Sequence, residues 1–109
     1  KRGGPSMYRL QERQETLYGH YREYFSIFEE MTAVQRARGW QESTLWSPAV
    51  GKGNEIIIVT DYPDLASLER ETRGAESDPE FMKLLRRTSE HIVQGSAKSE
   101  LLETAPHVV

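Results

Sequence analysis

Two residues of this chain, His91 and Glu42, have side chains suited to moving a proton. His91 continues a helically spaced apolar series that begins at Phe81, so its imidazole is predicted to face the protein interior. Glu42 is predicted to share one side of a strand with Trp46, whereas most other carboxylates fall on solvated helix faces. One proton transfer by either group is the most chemistry that these residues support. The alternative for His91 is a structural role, with its imidazole hydrogen-bonded to a neighbour.

Aromatic side chains are dense enough along the chain to line a flat apolar pocket. Trp46 and Tyr62 stand out among them, because each has a polar tip that a dry core would have to satisfy. The same aromatic positions at helical spacing also suit an ordinary hydrophobic core, and this alternative stays open. The residues predicted to line a ligand pocket are Tyr24, Phe28, Trp46, Tyr62 and Phe81.

No pattern for a metal, a nucleotide or a nucleophilic triad is present. The chain has no cysteine, which excludes disulfides, thiolate catalysis and Cys-ligated metals. His20 and His107 have no ligand spacing relative to each other or to His91, so no metal site is predicted. There is no P-loop, dinucleotide fingerprint or Ser-His-Asp order, so these residues by themselves predict no cofactor.

The composition is that of one globular domain. The 109 residues are 37% apolar and 28% charged, with a net charge of −3. Because charges of both signs are interspersed, neither nucleic acid nor an anionic membrane is an expected partner. No apolar run reaches the length of a membrane span, and no secretory signal is recognisable. Together with the lack of cysteine, these features predict a cytoplasmic protein.

The strand that the other elements must be arranged around is predicted at Asn54–Tyr62. Four consecutive β-branched apolar residues, Ile56 to Val59, favour an extended conformation. Large apolar groups point to both faces of this strand, as in a central strand that is covered on both sides. Pro63 ends the strand, and Asp64 is placed to cap a helix that begins at the next residue.

The remaining segments complete an alternating order of strands and helices. The predicted elements are a strand at Met7–Gln14, a helix from Gly19 to about Arg38, a strand at Trp40–Ser47, a helical segment from Leu65 that Gly74 weakens, a helix from Asp78-Pro79 to Gly95, and an edge strand at Lys98–Thr104. Residues 7–104 form the predicted domain, residues 1–6 a flexible tail or cloning remnant, and residues 105–109 a C-terminal tail. This β-α-β-β-α-β order predicts an α+β, ferredoxin-like fold with both helices on one face of a four-stranded antiparallel sheet.

Such a fold leaves one face of the sheet without cover. Either Ile57 and Val59 or Ile56 and Ile58 must point there, depending on the register of the central strand. An exposed apolar patch of this kind marks an interface. A second copy of the chain is the simplest cover, so a homodimer is predicted.

Several short motifs, taken in order, resemble the NIPSNAP-like members of the dimeric α/β-barrel superfamily. The resemblance extends over nearly all of residues 7–104. It is carried by Gly19 before an aromatic-rich helix, Arg38-Gly39-Trp40, Asn54-Glu55-Ile56-Ile57-Ile58-Val59, Tyr62-Pro63-Asp64-Leu65, Asp78-Pro79-Glu80-Phe81 and Ser99-Glu100-Leu101-Leu102.

The resemblance implies two ferredoxin-like subunits that close a barrel between their sheets, with a cleft between sheet and helices in each. The superfamily includes cofactor-free monooxygenases, isomerases, cyclases and haem-binding proteins, so it constrains function weakly. We expect binding of a small apolar or aromatic molecule, with a monooxygenase, isomerase or cyclase as the candidate enzymes. One alternative is a non-catalytic scaffold with a packed core. Another is a haem-binding protein, since haem-binding relatives take an axial histidine from the helix that corresponds to that of His91.

Overall fold

The structure is a computed structural model in which residues 7–104 are described. The predicted tails at 1–6 and 105–109 lie outside the described residues. The elements are β1 (Tyr8–Glu15), α1 (Tyr21–Arg38), β2 (Thr44–Trp46), β3 (Glu55–Tyr62), α2 (Leu65–Glu76), α3 (Pro79–Thr88), a single 3₁₀ turn (Ser89–His91) and β4 (Lys98–Glu103).

The strands form one antiparallel sheet in the order β2-β3-β1-β4. The two longest strands, β1 and β3, are central, and β4 is an edge strand as predicted. The α+β, ferredoxin-like fold is therefore confirmed, with the second helical region divided into α2 and α3.

The register of the central pair decides which residues face the helices. Tyr8 pairs with Tyr62 and Glu12 with Ile58, so both members of each pair lie on one face. Ile56, on this same face, is 1% exposed and packs with Tyr24 of α1. The helices therefore cover the face that carries Ile56, Ile58, Thr60 and Tyr62, and the other face carries Glu55, Ile57, Val59 and Asp61.

The aromatic helix α1 is as long as predicted, but it buries a slightly different set of residues. Three apolar residues of α1 at helical spacing, Tyr24, Phe28 and Val34, are buried, together with Ile27. Tyr21 and Phe25 are exposed at the start of the helix, where their rings stack on each other with centroids 6.2 Å apart. The buried stripe is thus narrower than the apolar pattern suggested, because Tyr21 and Phe25 remain exposed.

Strand β2 is shorter than the prediction of Trp40–Ser47. Two backbone N–H groups before it donate to side chains and not to a neighbouring strand. Gln41 N donates to Glu71 Oε1 at 2.7 Å, and Ser43 N donates to Gln35 Oε1 at 2.9 Å. Residues 40–43 consequently form a loop that α1 and α2 hold in place.

Helix α3 ends at Thr88, earlier than the predicted end at Gly95. The hydroxyls of Thr88 and Ser89 bond backward to the carbonyls of Leu85 and Arg86, each at 2.6 Å, and a 3₁₀ turn follows. Ile92 then forms an isolated β-bridge with Thr16, which requires an extended chain. His91 therefore lies in the turn and not on the helix.

Gly74 does not interrupt α2, which continues to Glu76. A Cβ at this position would lie 3.0 Å from Cζ2 of Trp40, so the glycine allows the indole to pack directly on the helix backbone.

The predicted N-caps at the starts of α2 and α3 are present. Asp64 accepts from Ser67 N at 2.6 Å, and Asp78 accepts from Phe81 N at 3.0 Å.

Candidate functional site

A cavity of about 400 Å³ lies between the helix-covered face of the sheet and the helices α1, α2 and α3. This volume is within the range of small-molecule sites, which is about 300–1,000 Å³. Thr72 and Leu85, which line it, are exposed, so the cavity reaches solvent beside α2 and α3. The helices and the sheet do not fill the space between them.

Four of the predicted ligand-contacting residues line this cavity together. Tyr24 and Phe28 come from α1, Tyr62 from the end of β3 and Phe81 from α3. Trp40, which was not among the predicted set, lines it as well and meets Phe81 edge-to-face at a centroid distance of 5.9 Å. Five aromatic rings from four different segments therefore border one space. Their contact with a ligand stays a prediction.

Trp46 does not belong to this group, and the prediction that it lines the same pocket is wrong. It pairs with Ile57 on β3, which places it on the sheet face opposite the helices. There it is 55% exposed, and its Nε1–H donates to Thr44 Oγ1 at 2.8 Å. Sequence alternation predicted its strand but could not assign the face.

Glu42 also lies away from the cavity. It is exposed in the loop before β2 and forms an ion pair with Arg36, with an N–O distance of 2.8 Å. The hydrogen bond from Arg36 lowers the pKa of the Glu42 carboxyl. A solvated carboxylate with a lowered pKa is a weak base, so the geometry does not favour Glu42 as a proton acceptor.

His91 does not line the cavity but contacts His20, which immediately precedes α1. Their Nδ1 atoms are 2.9 Å apart, and both side chains are partly buried. Such a contact needs one donor and one acceptor, so one Nδ1 carries a proton and the other does not. Backbone bonds support the same corner, since Leu17 N donates to His91 O at 2.9 Å and His20 N donates to Leu17 O at 3.0 Å.

This arrangement favours the structural alternative for His91. No motif in the sequence connects these two histidines, which are 71 positions apart. A third metal ligand is also lacking, since no cluster of three or more His, Asp or Glu suited to a metal occurs among residues 7–104. No histidine of the described chain lines the cavity, so the cavity does not supply the axial histidine that the haem-binding alternative requires.

Three carboxyl groups line the cavity, and the one that the central strand β1 contributes is Glu12. It is partly buried, and its side chain has no hydrogen-bond or ion-pair partner among the residues that the structure describes. Burial raises the pKa of the Glu12 carboxyl above its ordinary value. A carboxyl with these properties can hold a proton in the cavity and release it to a bound molecule.

Sequence reasoning missed Glu12, although the signal was available. In a strand, residues two positions apart share a face. Glu12 follows Tyr8 and Leu10 at this spacing, so it belongs to the helix-covered side of β1. The apolar pattern of Tyr8 and Leu10 predicted the strand, and its continuation would have identified a carboxyl that faces the core.

Two phenols lie close to the carboxyl groups of the cavity. Burial, and secondly the charge of Glu12, raise the pKa of the Tyr24 phenol. Burial, followed by the charges of Glu71 and Glu12, raises the pKa of Tyr62. Both phenols therefore stay protonated, and the Tyr24 hydroxyl donates to Gln14 Oε1 at 3.3 Å.

Most other polar groups at the cavity are engaged with one another. Gln35 Nε2 donates to Ser43 Oγ at 3.0 Å, and that hydroxyl lies 2.6 Å from Thr60 Oγ1. Glu71 is 8% exposed and accepts the hydrogen bond from Gln41 N described above. These bonds hold the loop before β2 against the cavity wall. Among the carboxyls of the lining they leave Glu12 as the partly buried one without a partner in the described residues.

The opposite face of the sheet is not covered by any helix of residues 7–104. Its apolar residues are concentrated on β2 and β3, where Trp46, Ile57 and Val59 are neighbours across the two strands. Cross-strand ion pairs border them, namely Arg9–Asp61 at 2.8 Å and Arg13–Glu55 at 3.4 Å. This open face, defined by β2, β3 and the adjoining Arg and Gln residues of β1, has an apolar centre with a charged edge.

No helix within residues 7–104 combines the length and apolar character that crossing a membrane requires. No protein-family model and no curated protein sequence matches the chain. Similarity of this chain to known proteins is therefore found by comparison with solved structures.

Solved structures of other proteins share the architecture, among them the following three. A NIPSNAP family protein from Agrobacterium tumefaciens superposes with a TM-score of 0.76 at 16% identity, over 94% of this chain and 90% of that protein. An uncharacterised NIPSNAP domain protein from Burkholderia xenovorans gives 0.71 at 14% identity, over 87% of this chain and 91% of the other. An antibiotic biosynthesis monooxygenase gives 0.64 at 11% identity, over 90% and 96% respectively.

Similarity at these identities establishes the fold and leaves the activity open. The resemblance to NIPSNAP proteins that the sequence motifs indicated is confirmed at the level of the fold. The chain has the ferredoxin-like fold that NIPSNAP family proteins share with an antibiotic biosynthesis monooxygenase.

Proposed function

We propose that this protein binds a small, largely apolar molecule with an aromatic body in the cavity between its helices and sheet. The observation that carries the proposal is the cavity of about 400 Å³, which aromatic rings line together with the partly buried, unpartnered carboxyl of Glu12. A scaffold protein is expected to fill this space with side chains, because unfilled volume in a core is destabilising. The open mouth beside α2 and α3 gives a ligand access.

Binding is tested with Trp40, because its indole lines the cavity. Replacing Trp46 by phenylalanine leaves Trp40 as the single tryptophan, since the chain has two. A panel of small aromatic molecules of different charge is then titrated against this variant. We expect saturable changes in Trp40 fluorescence. A response that is absent for every compound would support the scaffold alternative.

A matched pair of variants tests whether the signal comes from the cavity. Ala75 lines it, whereas Ala66 is exposed on the same helix. Ala75→Phe fills part of the space and is expected to weaken binding, while Ala66→Phe is expected to leave binding unchanged. Equal affinities for the two variants would place the ligand elsewhere.

Proton transfer by Glu12 is the chemistry that this cavity supports. An isomerase or a cyclase needs a group that takes a proton from a bound molecule and returns it, which one carboxyl of raised pKa can do. A monooxygenase additionally needs dioxygen, for which no described residue offers a specific site. Among the candidate enzymes we therefore favour isomerase or cyclase chemistry with Glu12 in place of His91 or Glu42. Haem binding through His91 stays a prediction that the cavity does not support.

We further propose that the open face pairs with a second copy of this chain. The apolar centre around Ile57 needs cover, and the flanking pairs supply charges of both signs. A surface with both signs can be complementary to itself across a two-fold axis. Light scattering at micromolar concentration is expected to give about twice the 12.5 kDa of one chain. A well-folded particle of monomer mass would contradict the dimer.

A further inference from the structure

The charges of the cavity wall are all of one sign. Three carboxyl groups line it, those of Glu12, Glu71 and Glu76. Among the described residues, no lysine, arginine or histidine lines it. The aromatic wall described above adds five rings to these carboxyls. An anionic ligand would find no counter-charge here, and burying an unpaired charge is costly.

We propose that the ligand of this cavity is an organic cation, namely an amine or ammonium group attached to an apolar, aromatic-sized body. The inference rests on the proposed function and names its ligand class. Carboxylates and aromatic rings are the two kinds of group that stabilise such a cation, the first as counter-ions and the second through the ring quadrupole. The cavity provides both and contains no competing basic side chain.

The position of the carboxyls indicates how the cation is oriented. Glu12 projects from the central strand β1, and Glu71 projects from α2 on the opposite wall. Burial, and after it the charges of Glu71 and Glu12, raise the pKa of Tyr62, which lines the cavity with both carboxyls. We therefore expect the cationic group to bind on the side of the cavity that Glu12 and Glu71 line, with the apolar body extending toward Phe28 and Phe81.

Glu12 is the residue that distinguishes a cation from a neutral ligand. Its carboxyl has no internal partner, so it is free to pair with a bound ammonium group. Burial favours its protonated form in the empty cavity, and a cation alongside favours the ionised form. At a pH where Glu12 is partly protonated, binding of a cation should therefore release a proton from it, whereas binding of a neutral molecule should not.

The test uses three probes with similar bodies and different charges: 2-phenylethylammonium, 2-phenylethanol and 3-phenylpropanoate. Their affinities are measured by Trp40 fluorescence in the Trp46→Phe variant and by calorimetry. We expect the cation to bind about tenfold more tightly than the alcohol, and the carboxylate to bind most weakly. The affinity of the cation should fall in acid as Glu12 becomes protonated, with no such fall for the alcohol.

Two carboxyl variants provide the decisive readouts. Glu12→Gln is expected to remove most of the preference for the cation and the proton release, which calorimetry detects in buffers of different ionisation enthalpy. Glu29→Gln, at an exposed position of α1 outside the cavity lining, is the matched control and should retain both. A merely structural role of Glu12 would change the affinities of all three probes together.

The outcomes separate this inference from the proposed function. If the alcohol binds as tightly as the cation, or the carboxylate binds best, the cavity is a ligand site and the cationic class is wrong. If none of the three probes binds, the ligand site itself fails and the inference fails with it. Unaltered cation preference in Glu12→Gln would also overturn the assignment.

Discussion

The two faces of strand β3 have nearly the same apolar character but different environments. Ile56 and Ile58 face the helices, where Ile56 is 1% exposed. Ile57 and Val59 face the open side of the sheet, where no helix within the described part of the chain covers them. On the covered face the packing leaves a cavity, and on the open face it leaves a surface. One strand therefore supports both the proposed ligand site and the proposed subunit contact, with alternate residues serving each.

The contrast shows that burial within one chain does not by itself identify which sheet face carries a proposed site. On the covered face, Gln35, Ser43 and Thr60 bond to one another at the cavity wall and hold the loop before β2 in place. On the open face, Trp46 of the short strand β2 lies beside Ile57, and no helix of residues 7–104 covers them.

The largest effect on stability is expected from shortening a side chain in the well-packed part of the covered face. Ile56→Ala removes a side chain that packs with Tyr24 and Phe28, so it should lower the free energy of unfolding by about 2–5 kcal/mol. Urea denaturation measures the change. Val50→Ala, at a position that is 92% exposed, is the control and should stay within about 0.5 kcal/mol of the parent. A small effect at Ile56 would mean that the cavity extends further than described.

A charge on the open face should act on assembly. Ile57→Lys removes about 1.5–3 kcal/mol of apolar burial from each of two copies, so dimer dissociation should increase by about 100-fold or more. Sedimentation or light scattering over a range of concentrations measures this. Ser26→Lys, at an exposed position of α1, is the control with the same added charge. If both variants keep the mass of the parent protein, the open face is not the interface.

A smaller, pH-dependent effect is expected from Glu12 on the covered face. Because burial raises the pKa of this carboxyl, its stabilising protonated form is fully present below the ordinary pKa and is lost as the pH rises through the raised value. Glu12→Gln avoids that loss. The variant should be more stable than the parent in neutral solution, and the difference should shrink toward about pH 4.

Chemical denaturation at several pH values between about 4 and 8 measures the difference for Glu12. A gap in unfolding free energy that does not change with pH would show that the carboxyl ionises as freely in the folded protein as in the unfolded chain.

The smallest effect is expected at Glu42, outside both faces. Its carboxylate is solvated and paired with Arg36, so Glu42→Gln should leave both probe binding and stability unchanged. Fluorescence titration of Glu42→Gln and Glu12→Gln under the same conditions compares their affinities for the probes. A loss of binding in Glu42→Gln alone would mean that the loop before β2 closes over the ligand.

Much of the fold could be predicted because its signals are local. The β-branched run at 56–59 specifies a strand, and Asp64 and Asp78-Pro79 specify helix starts through bonds to backbone groups three residues away. The order of strands and helices then leaves few alternatives to the antiparallel sheet that the structure shows. These features depend on residues that are close in the chain, so the sequence by itself determined them.

The composition of the site depended on contacts that no local pattern contains. The pairing of Trp46 with Ile57 assigns the face of β2, and the approach of His20 to His91 crosses 71 positions. The early end of α3 likewise follows from the bridge between Ile92 and Thr16. Each outcome depends on the register of strands and on the packing of distant segments, for which periodicity gives spacing but no partner. Only the tertiary structure could therefore place Trp46 and Glu42 outside the cavity that Glu12 lines.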